Sequence, residues 1–340
     1  MNRPKLTIDT LIFSLNDVII DVSYSYQAVV RKTVQLYLES MGLTPSKQPL
    51  LTADEITCLQ RIGHFTDYWD LTIAFIIYFI ELLPRVPSPT FPIKFHVPAM
   101  MAYLQVASAH VKMSIDELCN QKNIEKLARD TAAAGGGVNG TSRCLPSYNR
   151  HLLVASGPIT KINLVGRIFQ ELYLGADLFE RTYHQPTVIV QSSGYSELES
   201  LLLDRAILEK LSQKLPVGLI SERPKFEVER SLNARQITQF FQRVVTLDDL
   251  EKSNAKKLPD PWLLLEVVRQ MNPTATQVGY IGSNPAEIEA ARAASKTIPF
   301  TPIACLVGAH DKEMVQEELE KSNPSMILGH PNHLKELILG

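Results

Sequence analysis

The sequence predicts an α/β protein, a Rossmann-like parallel sheet flanked by helices, with a large and mainly helical segment inserted after the first strand. Three observations predict it. A short β-branched run ending in a turn opens the chain, and strand and helix patterns alternate from about residue 196 onward. The stretch between them is helical in pattern, with interruptions. Alternation of this kind argues for parallel strands, because each parallel pair needs a crossover and a helix usually supplies it. The expected division is 1–22 with 196–340 for the sheet, and 23–195 for the helical insertion.

The elements follow in order. "LTIDTLIF" is an apolar strand running into the turn "SLNDVIID", and "VSYSYQAVVRKTVQLYLESMG" continues as a helix. "LTIAFIIYFIELLP" (71–84) is the most membrane-like stretch, but it is shorter than the ~20 apolar residues a span needs, and Glu81 interrupts it. It reads as a helix that needs cover on every side, since it is apolar nearly all round. Ile76 and Phe79 are the candidate residues for a surface on which a partner protein docks, with burial inside the segment as the competing reading.

"PRVPSPTFPIKFHVP" (84–98) is too proline-dense for a regular element. Ser114 with Glu117 three residues later has the look of a capping box. "AAAGGGVNGTS" (132–142) reads as a mobile loop. Beyond it, "SELESLLLDRAILEKLSQK" is expected as one amphipathic helix and "PVGLIS" as a buried strand. "QITQFFQRVVTL" reads as a helix end running into a strand, and "DPWLLLEVVRQM" as a helix. "QVGYIGS", "PIACLVG" and "SMILGH" are strands, with "NPAEIEAARAASK" a helix between the first two. "GAHDKE" (308–313), which carries His310, Asp311 and Glu313, is expected to be a solvated loop.

Composition excludes several function classes. With a formal net charge of -2 there is no basic excess for nucleic acid and no acidic tail. A hydrophobic content of 45% over 340 residues predicts a sizeable core. The four cysteines are scattered and form no CxxC pair, and "MNRPKLTID" is too short and polar for a secretory leader. The expectation is a cytoplasmic protein with reduced thiols and no transmembrane segment. His330 and His333 lack further ligands nearby and read as a turn rather than a metal pair.

Ligands of open parallel sheets bind beyond the carboxyl ends of the strands. Attention therefore falls on Ser14–Asp17, Ser221–Pro224, Asp248–Asp249 with Leu258–Pro261, and Gly282–Glu287. "LIFSLNDVIID", "VGLISERP", "LPDPWLLL" and "VGYIGSNPAEIEAAR" stand at these ends. In this order and spacing they resemble the four motifs of the haloacid dehalogenase-like (HAD) hydrolase superfamily. The helical insertion then looks like that family's cap. Within it, "TDYWDLT" and "IFQELYLG" look like an enlarged-cap, IA-type subfamily found in photosynthetic bacteria.

The resemblance implies a nucleophilic aspartate, an acid/base aspartate, a glycine, a lysine and magnesium-holding acids. This chain departs from that pattern at the places that matter. Ser14 stands at the nucleophile position and Asn16, an amide that cannot titrate, at the acid/base position. Asp17 replaces the glycine, and Leu258 stands at the lysine position with Lys257 one residue away. Ser283 replaces the magnesium-holding acid, and Ala286 the next one, leaving Glu287. A hard divalent cation wants carboxylate oxygens, so Mg²⁺ is not expected as a cofactor.

The expected function is therefore a catalytically inactive HAD-like protein that binds a partner as a scaffold, assembly factor or regulator. Two alternatives stand beside it. One is a non-turnover sensor of a phosphorylated small molecule, with Ser221 and Arg223 as candidate anion-binding residues at a helix start. The other is a divergent phosphatase.

Overall fold

The computed structural model describes residues 6–88, 90, 96–307 and 312–339. Of the proline-dense stretch, Pro89 and residues 91–95 lie outside the described residues, as do residues 308–311 of "GAHDKE". The chain forms two compact units, Met1–Val22 with Glu199–Gly340, and Ser23–Leu198.

The first unit is built on strands β1 (Thr10–Ser14), β2 (Ile20–Asp21), β3 (Ser200–Leu201), β4 (Val217–Ile220), β5 (Arg243–Val245), β6 (Val278–Gly282), β7 (Phe300–Cys305) and β8 (Met326–Leu328). Six of them form one sheet in the order β5-β4-β1-β6-β7-β8, and every pairing in it is parallel. β1 is buried along its whole length, as a central strand covered on both faces must be. Chain order reverses around it: β4 and β5 lie to one side, β6 to β8 to the other. The carboxyl end of β1 is thus the switch point where a crevice opens. Beyond it, residues 15–20 fold into a tight turn in which the Ile19 and Ile20 amides donate to the Leu15 carbonyl at 3.1 and 2.9 Å. β2 then pairs antiparallel with β3.

In the second unit the helices are α1 (Tyr26–Ser40), α2 (Ala53–Ile62), α3 (Tyr68–Leu82), α4 (Val97–Ser108), α5 (Ile115–Gln121), α6 (Ile124–Ala133), α7 (Gly137–Cys144), α8 (Leu164–Leu174) and α9 (Ala176–Tyr183). Asp67 caps α3 by accepting from the Trp69 amide at 2.7 Å, and the unit packs around this helix, with α1, α5, α7 and α8 against it. Ile76 and Phe79 are completely buried. This corrects the expectation of a docking surface there. A helix apolar all round does need cover all round, and the neighbouring helices of its own unit supply it. An aromatic cluster, Tyr26 with Tyr68, Phe169 and Tyr173, closes the contact between α1 and α8 at ring separations of 4.5 to 5.7 Å.

The Ser114 and Glu117 capping box forms, with amide-to-side-chain distances of 2.7 and 3.2 Å. The glycine-rich segment differs from the loop reading. Gly135, Gly136 and Gly137 turn the chain at positive φ, and α7 begins at the last of them. A Cβ on Gly140 would sit 2.5 Å from the Thr131 carbonyl, so glycine there is what lets α7 lie against α6.

The first unit's helices are α10 (Arg205–Lys214), α11 (Lys225–Ala234), α12 (Leu247–Lys252), α13 (Trp262–Met271), α14 (Pro285–Ala294) and α15 (Lys312–Lys321). Leu263, Val267, Ala290 and Ala291 on α13 and α14 pack with Ile12, Ile220 and Tyr280 of the sheet into one buried cluster. Of "SELESLLLDRAILEKLSQK", the second half is α-helical, and a 3-10 turn over Tyr195–Leu198 precedes it. Asp204 caps α10 by accepting from the Ala206 amide at 2.7 Å, and the residues before it turn to pair as β3. Backbone pairing with β2 overrides the helical periodicity of that stretch. No helix among the described residues is long and apolar enough to cross a membrane.

Candidate functional site at the strand ends

Four of the residues singled out in the sequence meet at the end of β1. The Ser14 hydroxyl donates a short hydrogen bond to Glu287 Oε1. Glu287 Oε2 accepts from the Ser283 amide at 2.7 Å and from the Asn284 amide at 3.0 Å. The Ser283 hydroxyl donates to the Asn16 carbonyl at 3.2 Å. Ser14, Ser283 and Glu287 are all buried. Local sequence explains the placement: Asn284 is the N-cap of α14, Pro285 fills the first helical position and Glu287 completes a capping box.

Asp17 has φ +55°, the left-handed region a glycine enters without penalty and aspartate tolerates. The turn thus keeps a glycine-like backbone although the side chain is a carboxylate. Tyr280, in β6 three residues before Ser283, is a residue that the sequence reading did not single out. Its phenol is held well above the ordinary tyrosine range by burial and by the charge of Glu287, with Ser14 beside it. The available signal was a tyrosine inside an otherwise aliphatic central strand.

Leu258 packs against the buried cluster that contains Tyr280. Its side chain offers no charge, and its amide donates to Glu222 Oε1 at 2.8 Å.

Ser221 and Arg223, the candidate anion-binding residues, follow β4, and both are engaged within the fold. The Ser221 hydroxyl accepts from the Arg223 amide at 3.1 Å, and α11 begins only at Lys225. The Arg223 guanidinium, 3% exposed, donates to Glu199 Oε1 at 2.8 Å and to the Ser231 hydroxyl at 3.2 Å. Arg235 adds a second cation 3.5 Å from Glu199 Oε2. Arg223 is thus paired inside the fold with a carboxylate that it shares with Arg235. Glu199 lies 24 residues before Arg223, with no motif to announce it.

Glu227 of α11 is completely buried, and burial, followed by the charge of Asp248, holds its carboxyl well above the usual carboxylate range. Folding therefore favours the protonated acid. That contribution is fully present below the ordinary value near 4.5 and turns into a cost as pH rises from there towards the folded value. Glu227→Gln should raise the Tm at pH 7 relative to the natural protein, and the gain should vanish in acid. Thermal melts across pH check it; a gain independent of pH would contradict the buried-acid account.

The donors at the strand ends do not suit magnesium. Such an ion needs several oxygen ligands with free lone pairs, usually including carboxylates. Glu287, the one carboxylate at a matching motif position, already accepts from a hydroxyl and two amides. No group of three or more His, Cys, Asp or Glu that could hold a metal occurs among the described residues.

Residues 200–298 match the family model described as haloacid dehalogenase-like hydrolase. No curated protein matches the sequence. Among solved structures, a Northeast Structural Genomics Consortium target superposes with a TM-score of 0.59 at 16% identity, over 96% of this chain and 97% of that one. A "putative phosphoglycolate phosphatase" from Lactobacillus delbrueckii subsp. bulgaricus gives 0.54 at 14% identity, over 98% and 99%. A phosphatase from Thermococcus thioreducens is 19% identical over 91% and 98%, with a TM-score of 0.46. The parallel sheet with its switch point at β1, the family pattern over 200–298 and the first two superpositions agree, and the chain has the haloacid dehalogenase-like hydrolase fold.

Proposed function

We propose that this protein is a catalytically inactive member of the HAD-like fold that acts by binding a protein partner, as a scaffold, assembly factor or regulator. The observation that carries this reading is the state of Glu287. For Ser14 to attack a phosphoryl group, a base must take its proton. The carboxylate it touches also accepts from the Ser283 and Asn284 amides on its other oxygen, hydrogen bonds that stabilise its charged form. Asn16 cannot titrate, and Leu258 cannot neutralise a transferred phosphoryl group. Nucleophile, acid/base, counter-charge and metal ligand are thus all affected together.

Sensing of a phosphorylated small molecule is the weaker reading, because Arg223 is already matched by Glu199. Divergent phosphatase chemistry would have to work through the Ser14–Glu287 pair.

The test is a hydrolysis assay on generic phosphate monoesters with Mg²⁺ present. No turnover above a heat-treated control is expected. Magnesium-dependent turnover that disappears in Ser14→Ala would overturn the proposal. Affinity capture from the native host, followed by reconstitution of the pair from purified components, tests the binding half. Repeated failure to reconstitute any captured pair counts against it.

A further inference from the structure

We infer that a hydrogen-bonded clamp centred on Glu287 ties the end of β1 to the β6–α14 turn, and that it replaces a divalent cation at this point rather than preparing a site for one. This goes beyond inactivity and does not rest on it: it concerns what holds the strand ends together.

Three donors converge on one carboxylate from separate places in the chain. The Ser14 hydroxyl comes from the end of β1, and the two amides come from the turn after β6. The Ser283 hydroxyl adds a second tie across the same gap, to the Asn16 carbonyl. Glu287 also lies in the first turn of α14, where the helix dipole favours negative charge. Its charge is therefore compensated by hydrogen bonds and peptide dipoles.

The space around it is equally committed. A Cβ at Gly282 would come within 2.9 Å of Glu287 Oε2, so the carboxylate lies directly on that backbone. The buried Tyr280 phenol, its proton firmly held, lines the same place. A magnesium ion demands near-octahedral oxygen ligands at about 2.0–2.1 Å and gives up its waters reluctantly. To reach Oε1 it would have to displace the Ser14 hydroxyl, and to reach Oε2 it would have to break the cap of α14. Hydrogen bonds to a buried charge are among the stronger ones, so the exchange is unfavourable.

The test measures thermal stability and calorimetric Mg²⁺ binding on the full chain, for the natural protein, Ser14→Ala, Glu287→Gln and Ser14→Asp/Ser283→Asp. The natural protein should melt at the same temperature with MgCl₂ or with EDTA and give no calorimetric binding in the millimolar range. Ser14→Ala should melt several degrees lower, again without regard to magnesium. The doubly acidic variant places like charges around Glu287, so it should be destabilised without metal and regain stability with Mg²⁺.

Binding by the natural protein tighter than about 1 mM and lost in Glu287→Gln would overturn the inference. So would an unchanged Tm in Ser14→Ala. If the doubly acidic variant does not fold, the other three proteins still decide. Metal-independent turnover would sink the proposed inactivity and leave the clamp standing; magnesium binding without turnover would do the reverse.

Discussion

Phe79→Asp is expected to abolish the folded helical unit, with loss of far-ultraviolet helical signal and of any cooperative melt for that unit. Phe79 sits in α3 with no exposed surface, and α3 is the helix around which the unit packs. Truncating such a phenylalanine alone costs about 3–5 kcal/mol through lost transfer energy and the remaining cavity. Adding a carboxylate there imposes a desolvation cost of several kcal/mol more, since no partner for the charge is in place. The sum exceeds about 5 kcal/mol, the low end of the stability of an ordinary domain. Ile76→Asp should behave in the same way. A Phe79→Asp protein with the natural Tm and helical content, changed only in its association with other molecules, would restore the docking reading.

Arg223→Ala should destabilise the first unit by about 3 kcal/mol, the lower part of the range for breaking a buried pair, because Arg235 still faces Glu199. The loss arises from Glu199, whose carboxylate would keep its burial and lose its nearest cation. Glu199→Gln/Arg223→Met should recover part of the loss, since the pair is replaceable by neutral groups of similar shape while Arg235 loses the Glu199 charge. Urea unfolding of the single and double variants measures it. If Arg223→Ala leaves stability unchanged but removes stabilisation by about 10 mM inorganic phosphate, the residue serves an anion and the structural account fails.

The parallel sheet could be foreseen because its strands are short apolar runs at regular intervals between helices. That Ser14, Asn16, Leu258 and Ser283 differ from what the resemblance implies was equally visible, since it depends only on which residue types occupy four spaced positions. Ser114 with Glu117 was readable for a related reason: a capping box is local, and both partners lie within one turn.

Long-range pairing was not readable. Arg223 looked like a helix-start cation, and nothing near it in sequence names Glu199 as its partner. Helical periodicity continues through Ser200 and Leu201, yet those residues leave the helix because β2 offers them a backbone partner. Small residues in 132–142 suggested a loop, but Gly140 serves close packing of α7 on α6.

The sequence by itself determined the fold class and most of the order of the elements, because hydrophobic periodicity is a property of the chain. Tertiary structure decided the rest. It chose the helices that cover α3, turned Arg223 inward to Glu199, and closed the Glu287 carboxylate with a hydroxyl donated from 273 positions away. Burial, charge pairing and hydrogen-bond saturation depend on distances between residues remote in sequence, and no local pattern specifies those distances.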